Sequence, residues 1–66
     1  MKILLNGNSY TVTSSSHVQE LVKELDLHEN TVLIEHNENA LLRSEWITAI
    51  LHEGDRIEVL RVVAGG

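Results

Sequence analysis

The 66-residue sequence contains no cysteine. That absence excludes disulfide bonds, thiolate metal sites, iron–sulfur clusters and thiol nucleophiles, and it fits a reducing compartment. The sequence shows no charged segment followed by an apolar one, the pattern of a secretory leader, and no apolar run near the roughly 20 residues that a transmembrane helix needs. We therefore expect a soluble, cytoplasmic protein without a membrane partner.

Aromatic and basic residues are also scarce. With no Phe, one Trp and one Tyr among 42% apolar residues, the core must be built from Leu, Ile and Val, which suits a small sheet backed by one helix. Ten acidic against five basic side chains give a net charge of −5, the wrong sign for binding nucleic acid. A chain of this length makes one domain, over residues 1–66.

The amino-terminal stretch KILLNGNSYTVT has the pattern of a β-hairpin. Asn6-Gly7 supplies two residues that tolerate the positive φ angles of a type I′ turn. Apolar and polar residues alternate on either side of this pair. The pattern predicts two antiparallel strands, over residues 2–6 and 9–13.

The segment SSSHVQELVKELDL changes to a helical period. Its apolar residues recur three and four positions apart, at Val18, Leu21, Val22 and Leu25. Ser16 followed by Gln19 has the spacing of a capping box, so we expect Ser16 to be the N-cap. A helix of about ten residues is marginal alone and has to be held by laying its apolar stripe on the sheet.

The remainder of the chain predicts further strands. We expect them over residues 31–36, near 41–43 and over 56–63, with a short strand passing into a helical turn between residues 44 and 52. The first and last strands should be adjacent, with the helix in the crossover between them. This order predicts an α+β fold of the β-grasp (ubiquitin-like) type, a mixed four- to five-stranded sheet covered by one helix.

Alternation along the last strand directs Leu60 and Val62 away from the helix-covered face, as it does Leu4 on the first strand. We expect these three residues to form a partner-binding surface, although covering loops or scattered surface apolar residues would give the same pattern. Trp46 is expected to pack in the core and Asp55 to shape a turn. The histidines lack the spacing of metal ligands, so no metal site is expected.

Five stretches spread along the chain carry a resemblance to a known family: LLNGN, HVQELVKELDL, LLRSEW, EGDRIEVL and the terminal RVVAGG. On these stretches the whole sequence resembles the ThiS family of thiamin-biosynthesis sulfur carriers. A terminal Gly-Gly is shared with ubiquitin-like proteins in general. The Arg-Ser-Glu-Trp stretch at 43–46 and the short length favour ThiS over the molybdopterin carrier MoaD.

The resemblance implies a protein cosubstrate rather than an enzyme. In the family, a ThiF-like adenylyltransferase uses ATP and Mg²⁺ to convert the terminal carboxylate, here that of Gly66, into an acyl adenylate. Sulfur from a donor such as a cysteine desulfurase then displaces AMP, and a ThiG-like thiazole synthase consumes the resulting thiocarboxylate. We expect a chain that is monomeric when free and binds no cofactor itself, because ATP and Mg are used by the activating partner.

Residues 62–66 are expected to form a flexible C-terminal tail, in which Ala64, Gly65 and Gly66 are small enough to thread a partner's active site. A terminal carboxylate is ionised at neutral pH, because its pKa is about 3.5, so its carbon has to be activated before attack. A persulfide carrier needs a thiol, which this chain lacks. The terminal acyl carbon is therefore the expected attachment point for any sulfur that is carried.

Other functions stay open at this stage. The same features fit a MoaD-like sulfur carrier for molybdopterin or another metabolite. They also fit a ubiquitin-like protein modifier, whose Gly66 would join a target lysine, or an interaction module with an inert tail. These alternatives differ in what becomes attached to Gly66.

Overall fold

The computed structural model of the chain describes residues 1–62. These residues form five strands, one α-helix and two short 3₁₀ turns. The strands are β1 (Lys2–Leu5), β2 (Asn8–Thr11), β3 (Val32–His36), β4 (Asn39–Leu41) and β5 (Arg56–Arg61), and the helix α1 spans Val18–Glu24. No helix among these residues is long and apolar enough to cross a bilayer.

Strands β1 and β2 form the expected amino-terminal hairpin. Its two turn residues, Asn6 and Gly7, have φ angles of 49° and 83°, as a type I′ turn requires at both central positions. Ile3 lies opposite Tyr10 in the antiparallel register. Both strands end earlier than predicted, because Asn6 belongs to the turn and the chain leaves the sheet after Thr11.

The five strands lie in the order β2-β1-β5-β3-β4. The central neighbours β1 and β5 are parallel, and the other pairs are antiparallel. A second tight turn, at Asn37 and Glu38 with φ angles of 50° and 73°, joins β3 to β4. A mixed sheet whose first and last strands are adjacent, with α1 in the crossover, confirms the predicted β-grasp fold.

Helix α1 packs on one side of the sheet through Val18, Leu21 and Val22, all of which are buried. The predicted apolar stripe is therefore confirmed. The predicted N-cap is wrong, because His17 caps the helix by accepting the Glu20 N–H on Nδ1 at 3.4 Å. Ser16 instead donates its N–H and hydroxyl to the Glu20 carboxylate, at 2.8 and 2.7 Å. Near the positive end of a helix, this carboxylate is a stronger acceptor than the Gln19 amide of the predicted capping box.

The carboxyl end of α1 is closed by backbone bonds in a Schellman arrangement. The Leu27 N–H donates to the Val22 carbonyl at 3.1 Å, and the Asp26 N–H donates to the Lys23 carbonyl at 3.0 Å. Asp26 adopts a φ of 56°, in the left-handed region that usually favours glycine at this position. The helix is seven residues long, shorter than expected.

The strand predicted between residues 44 and 52 is not found. A 3₁₀ turn at Arg43–Glu45 is followed by irregular chain, in which Ile50 makes an isolated bridge to His17. This chain supplies carbonyl acceptors to the amino-terminal end of α1, since Val18 donates to Ala49 at 3.0 Å. The segment thus satisfies helix N–H groups that would otherwise lack partners, rather than extending the sheet.

The core lies between α1 and the sheet. Its buried members are mainly aliphatic, as the composition predicts: Ile3, Val12, Val18, Leu21, Val22, Val32, Ile34, Trp46, Leu51 and Ile57. Trp46 is 1% exposed, which confirms its predicted packing role. The opposite side of the sheet, called the open face below, is the side that α1 does not cover.

Candidate functional site: the open face and the last strand

The last strand, β5, leads directly to the predicted tail. Its ladder with β3 continues one residue past Arg61, where the Val62 N–H donates to the Thr31 carbonyl at 2.8 Å. Val62 is the last residue that the structure describes. The predicted threading residues Ala64 and Gly65 and the predicted sulfur attachment point Gly66 lie outside the described residues, so their roles remain predictions.

Asn6 fixes the middle of β5 through its side chain. The Val59 N–H donates to Asn6 Oδ1 at 2.7 Å, and Asn6 Nδ2 donates to the Val59 carbonyl at 3.3 Å. The side-chain amide thereby makes the two hydrogen bonds to Val59 that a backbone residue would make if β1 continued past the turn. Sequence reasoning assigned Asn6 to the turn alone, because positive φ already explains an asparagine there and no second signal marks the clamp.

Asp55 fixes the start of β5. Its carboxylate accepts hydrogen bonds from His36 Nε2 at 2.7 Å, Asn37 Nδ2 at 3.1 Å and the His52 N–H at 2.9 Å. Burial opposes the ionisation of Asp55, but these hydrogen bonds outweigh it and lower the pKa of the carboxyl below its ordinary value. The predicted turn residue therefore anchors the β3–β4 turn to the chain entering β5.

Apolar side chains stand exposed on the open face where β5 ends. Leu60 lies directly opposite Leu33 of β3, and their side chains are 47% and 55% exposed. Val62, two residues further along, is 43% exposed. These three residues form the apolar patch, which borders the point where the predicted tail begins.

Leu4, the third residue of the predicted binding surface, is also exposed but lies elsewhere on the open face. Its partner in the sheet is Arg56 of β5, four residues before Leu60 in the chain. At about 3.3 Å per residue this register separates Leu4 from Leu60 by about 13 Å. Leu33, which the sequence prediction omitted, is the residue beside Leu60, because the pairing of β3 with β5 brings it there.

A cluster around Trp46 holds the 3₁₀ turn at Arg43–Glu45 against the rest of the domain. The Arg43 guanidinium lies 5.4 Å from the centre of the Trp46 ring. It also donates to the Glu29 carbonyl at 3.2 Å and to Asn30 Oδ1 at 2.9 Å. The Arg-Ser-Glu-Trp stretch thus contributes to packing and to loop attachment.

One groove among the described residues is smaller than a usual cofactor site. A groove of about 240 Å³ lies between the end of α1 and the sheet, lined by Leu5, Asn6, Leu25, Leu27, Val59 and Arg61. Cofactor sites usually measure about 300–1,000 Å³, so we assign none to this groove. In residues 1–62, no three His, Cys, Asp or Glu side chains are placed to hold a metal ion.

Comparison with known proteins adds a family relationship to this geometry. A sequence profile of the ThiS family matches residues 3–66. The chain is 30% identical over 66 residues to the sulfur carrier protein ThiS of Escherichia coli (strain K12), and the match covers both chains completely. It is also 27% identical to part of a thiazole synthase of Paramagnetospirillum magneticum, where the match covers all of this chain but 20% of that protein.

A solved structure shows the same architecture. The crystal structure of the thiamine biosynthesis protein ThiS from Geobacter metallireducens superposes with a TM-score of 0.84 at 29% identity, and both chains are covered completely. The similarity therefore extends over the sheet and the helix together.

Proposed function

The chain belongs to the ThiS family, and on that basis we propose that it is a protein cosubstrate that delivers sulfur for thiazole formation in thiamin biosynthesis. The observation that carries this proposal is the family match, which runs through residues 3–66 and so includes Gly65 and Gly66. The chain's similarity to one part of a thiazole synthase supports a thiazole synthase as the enzyme that receives the sulfur.

The proposed chemistry takes place at the Gly66 carboxylate. A carboxylate oxygen attacks the α-phosphorus of ATP and releases pyrophosphate, in a step that a ThiF-like adenylyltransferase catalyses with Mg²⁺. The terminal sulfur of a persulfide, supplied by a donor such as a cysteine desulfurase, then attacks the acyl carbon of the adenylate and expels AMP. A two-electron thiol reductant cleaves the S–S bond of the resulting acyl disulfide. The product is a thiocarboxylate, which a ThiG-like thiazole synthase uses. The absence of cysteine supports the acyl carbon as the attachment point.

The folded body contributes the affinity in this proposal. Ordering residues 63–66 in a partner's channel would cost about 1–2 kcal/mol of backbone entropy per residue. Contacts made by the domain have to offset that cost. The apolar patch of Leu33, Leu60 and Val62 is suited to this role, because it is exposed and borders the start of the tail.

The test is the intact mass of the chain after incubation with its cognate adenylyltransferase, ATP, Mg²⁺ and a sulfur source. We expect the mass change that corresponds to replacing one oxygen by sulfur, and fragmentation should locate it at Gly66. Deletion of Gly66 should abolish the change, while urea unfolding of the truncated chain should match the parent. Normal thiolation of the truncated chain would exclude Gly66 as the site. Attachment to other polypeptides would instead identify a protein modifier.

A further inference from the structure

Two glutamates face each other across the strands next to the apolar patch. Glu35 of β3 lies directly opposite Glu58 of β5 on the open face, two residues along each strand from Leu33 and Leu60. Carboxylates placed directly opposite each other on a sheet repel, so such a pair lowers the stability of the free domain. The fold gains nothing evident from this pair.

No cation in residues 1–62 neutralises this glutamate pair. Neither Glu35 nor Glu58 takes part in any of the ion pairs found among these residues. Arg56 lies two residues from Glu58 on the same face, but its guanidinium is paired with Glu38. The chain as a whole carries a net charge of −5, so its long-range field adds to the local repulsion.

We propose that the Glu35–Glu58 pair is the receptor for a basic side chain of the activating enzyme, held at the edge of a contact whose apolar part is Leu33, Leu60 and Val62. A guanidinium placed between two carboxylates converts their repulsion into two charge-assisted hydrogen bonds. The partner surface that fits is therefore apolar, with an arginine or lysine beside the apolar side chains. This inference rests on the proposed function, because it names the chemistry by which that partner is recognised.

Charge and distance favour the activating enzyme as the occupant. Gly66 lies four residues beyond Val62, and four residues span at most about 14 Å. A partner that adenylates Gly66 thus has its ATP site close to the open face. Such a site needs basic groups to bind a triphosphate, and positive charge on the partner surface around it attracts an acidic pair.

The experiment measures binding to the cognate adenylyltransferase for Glu58→Gln and Glu35→Gln, together with urea unfolding of each free variant. Asp26→Asn is the matched control, since it removes one negative charge from an exposed residue at the end of α1, and asparagine tolerates the positive φ there. We expect each glutamate variant to raise Kd about tenfold at low salt. The increase should shrink at about 0.5 M salt. The control should change Kd less than about twofold.

The stability measurement separates recognition from a structural role. Because Glu58→Gln removes the repulsion from Glu35, the urea midpoint of this variant should equal or exceed that of the parent. Its binding to the adenylyltransferase should nevertheless be weaker. A lower midpoint together with unchanged binding would overturn the inference. So would weakening that Asp26→Asn shows equally.

Thiolation of the same samples distinguishes the two proposals. If Glu58→Gln binds the adenylyltransferase as tightly as the parent and both are thiolated at Gly66, the glutamate receptor is wrong and the carrier function stands. If the parent is neither bound nor thiolated by that enzyme, both proposals fail together.

Discussion

Glu24 is the carboxylate whose loss should most clearly change the pH dependence of folding. It lies in the last turn of α1 and ties the helix to the chain that follows β2. Its carboxylate accepts hydrogen bonds from the Tyr10 and Ser15 hydroxyls, both at 2.6 Å, and from the Thr13 N–H at 3.0 Å. Burial raises the pKa of Glu24, but these hydrogen bonds outweigh it and lower the pKa to about 2.

The perturbation is Glu24→Gln, which keeps the side-chain size but removes the charge. A pKa that falls from 4.5 to about 2 corresponds to at most about 3 kcal/mol of folding free energy. Solvent screens this half-buried group, so we expect Glu24→Gln to lose about 1–2 kcal/mol near neutral pH. Because the folded pKa lies below the unfolded one, the stabilisation is complete above about pH 4.5 and disappears as the pH falls toward 2.

The assay is urea unfolding of the parent and of Glu24→Gln between about pH 7 and pH 2.5. The difference between their free energies of unfolding should be constant above about pH 5 and shrink steadily below it. Taking the difference isolates Glu24 from Asp55 and Glu20, whose pKa values are also lowered. Tyr10→Phe, which removes one of the donors, should show a smaller loss. A Glu24→Gln loss that persists undiminished at the lowest pH would refute the argument.

Four further substitutions test other contacts. Asn6→Gly keeps the turn but removes both side-chain hydrogen bonds to Val59. It should lower the free energy of unfolding by about 1–2 kcal/mol and speed hydrogen exchange at the Val59 amide. Unchanged exchange would mean that these two bonds do not stabilise β5. Asp26→Gly relieves a left-handed φ and should raise the free energy of unfolding by about 0.5 kcal/mol, measured by urea unfolding. Leu60→Glu should raise Kd for the adenylyltransferase about tenfold without unfolding the domain, whereas Leu4→Glu should change it less than about threefold; equal effects would contradict the separation of the two residues.

Local chemistry explains the parts of the fold that the sequence predicts well. The Asn6-Gly7 turn depends on positive φ at two adjacent residues, and the stripe of Val18, Leu21 and Val22 depends on helical period. Both signals lie within a few neighbouring residues. The order of strands and helix along the chain then allows few topologies in which one helix covers one small sheet.

The features that sequence reasoning missed depend on contacts between distant segments. Leu33 joins the apolar patch only through the register of β3 with β5, which no local pattern specifies. His17 replaces Ser16 as the N-cap because the Ser16 hydroxyl is already hydrogen-bonded to the Glu20 carboxylate. The chain between residues 44 and 52 has a mixed local pattern, which predicts a short strand passing into a helical turn, but its carbonyls accept hydrogen bonds from the start of α1.

The anchoring of β5 links the fold to the proposed chemistry. Asp55 holds the start of this strand, Asn6 its middle and the bond between Val62 and Thr31 its end, so the domain fixes the point from which the tail departs. A partner that reacts with Gly66 then has to bind near Val62, since the intervening residues span at most about 14 Å. Substitutions on the open face should therefore affect activation according to their distance from Val62, not simply according to their apolar character.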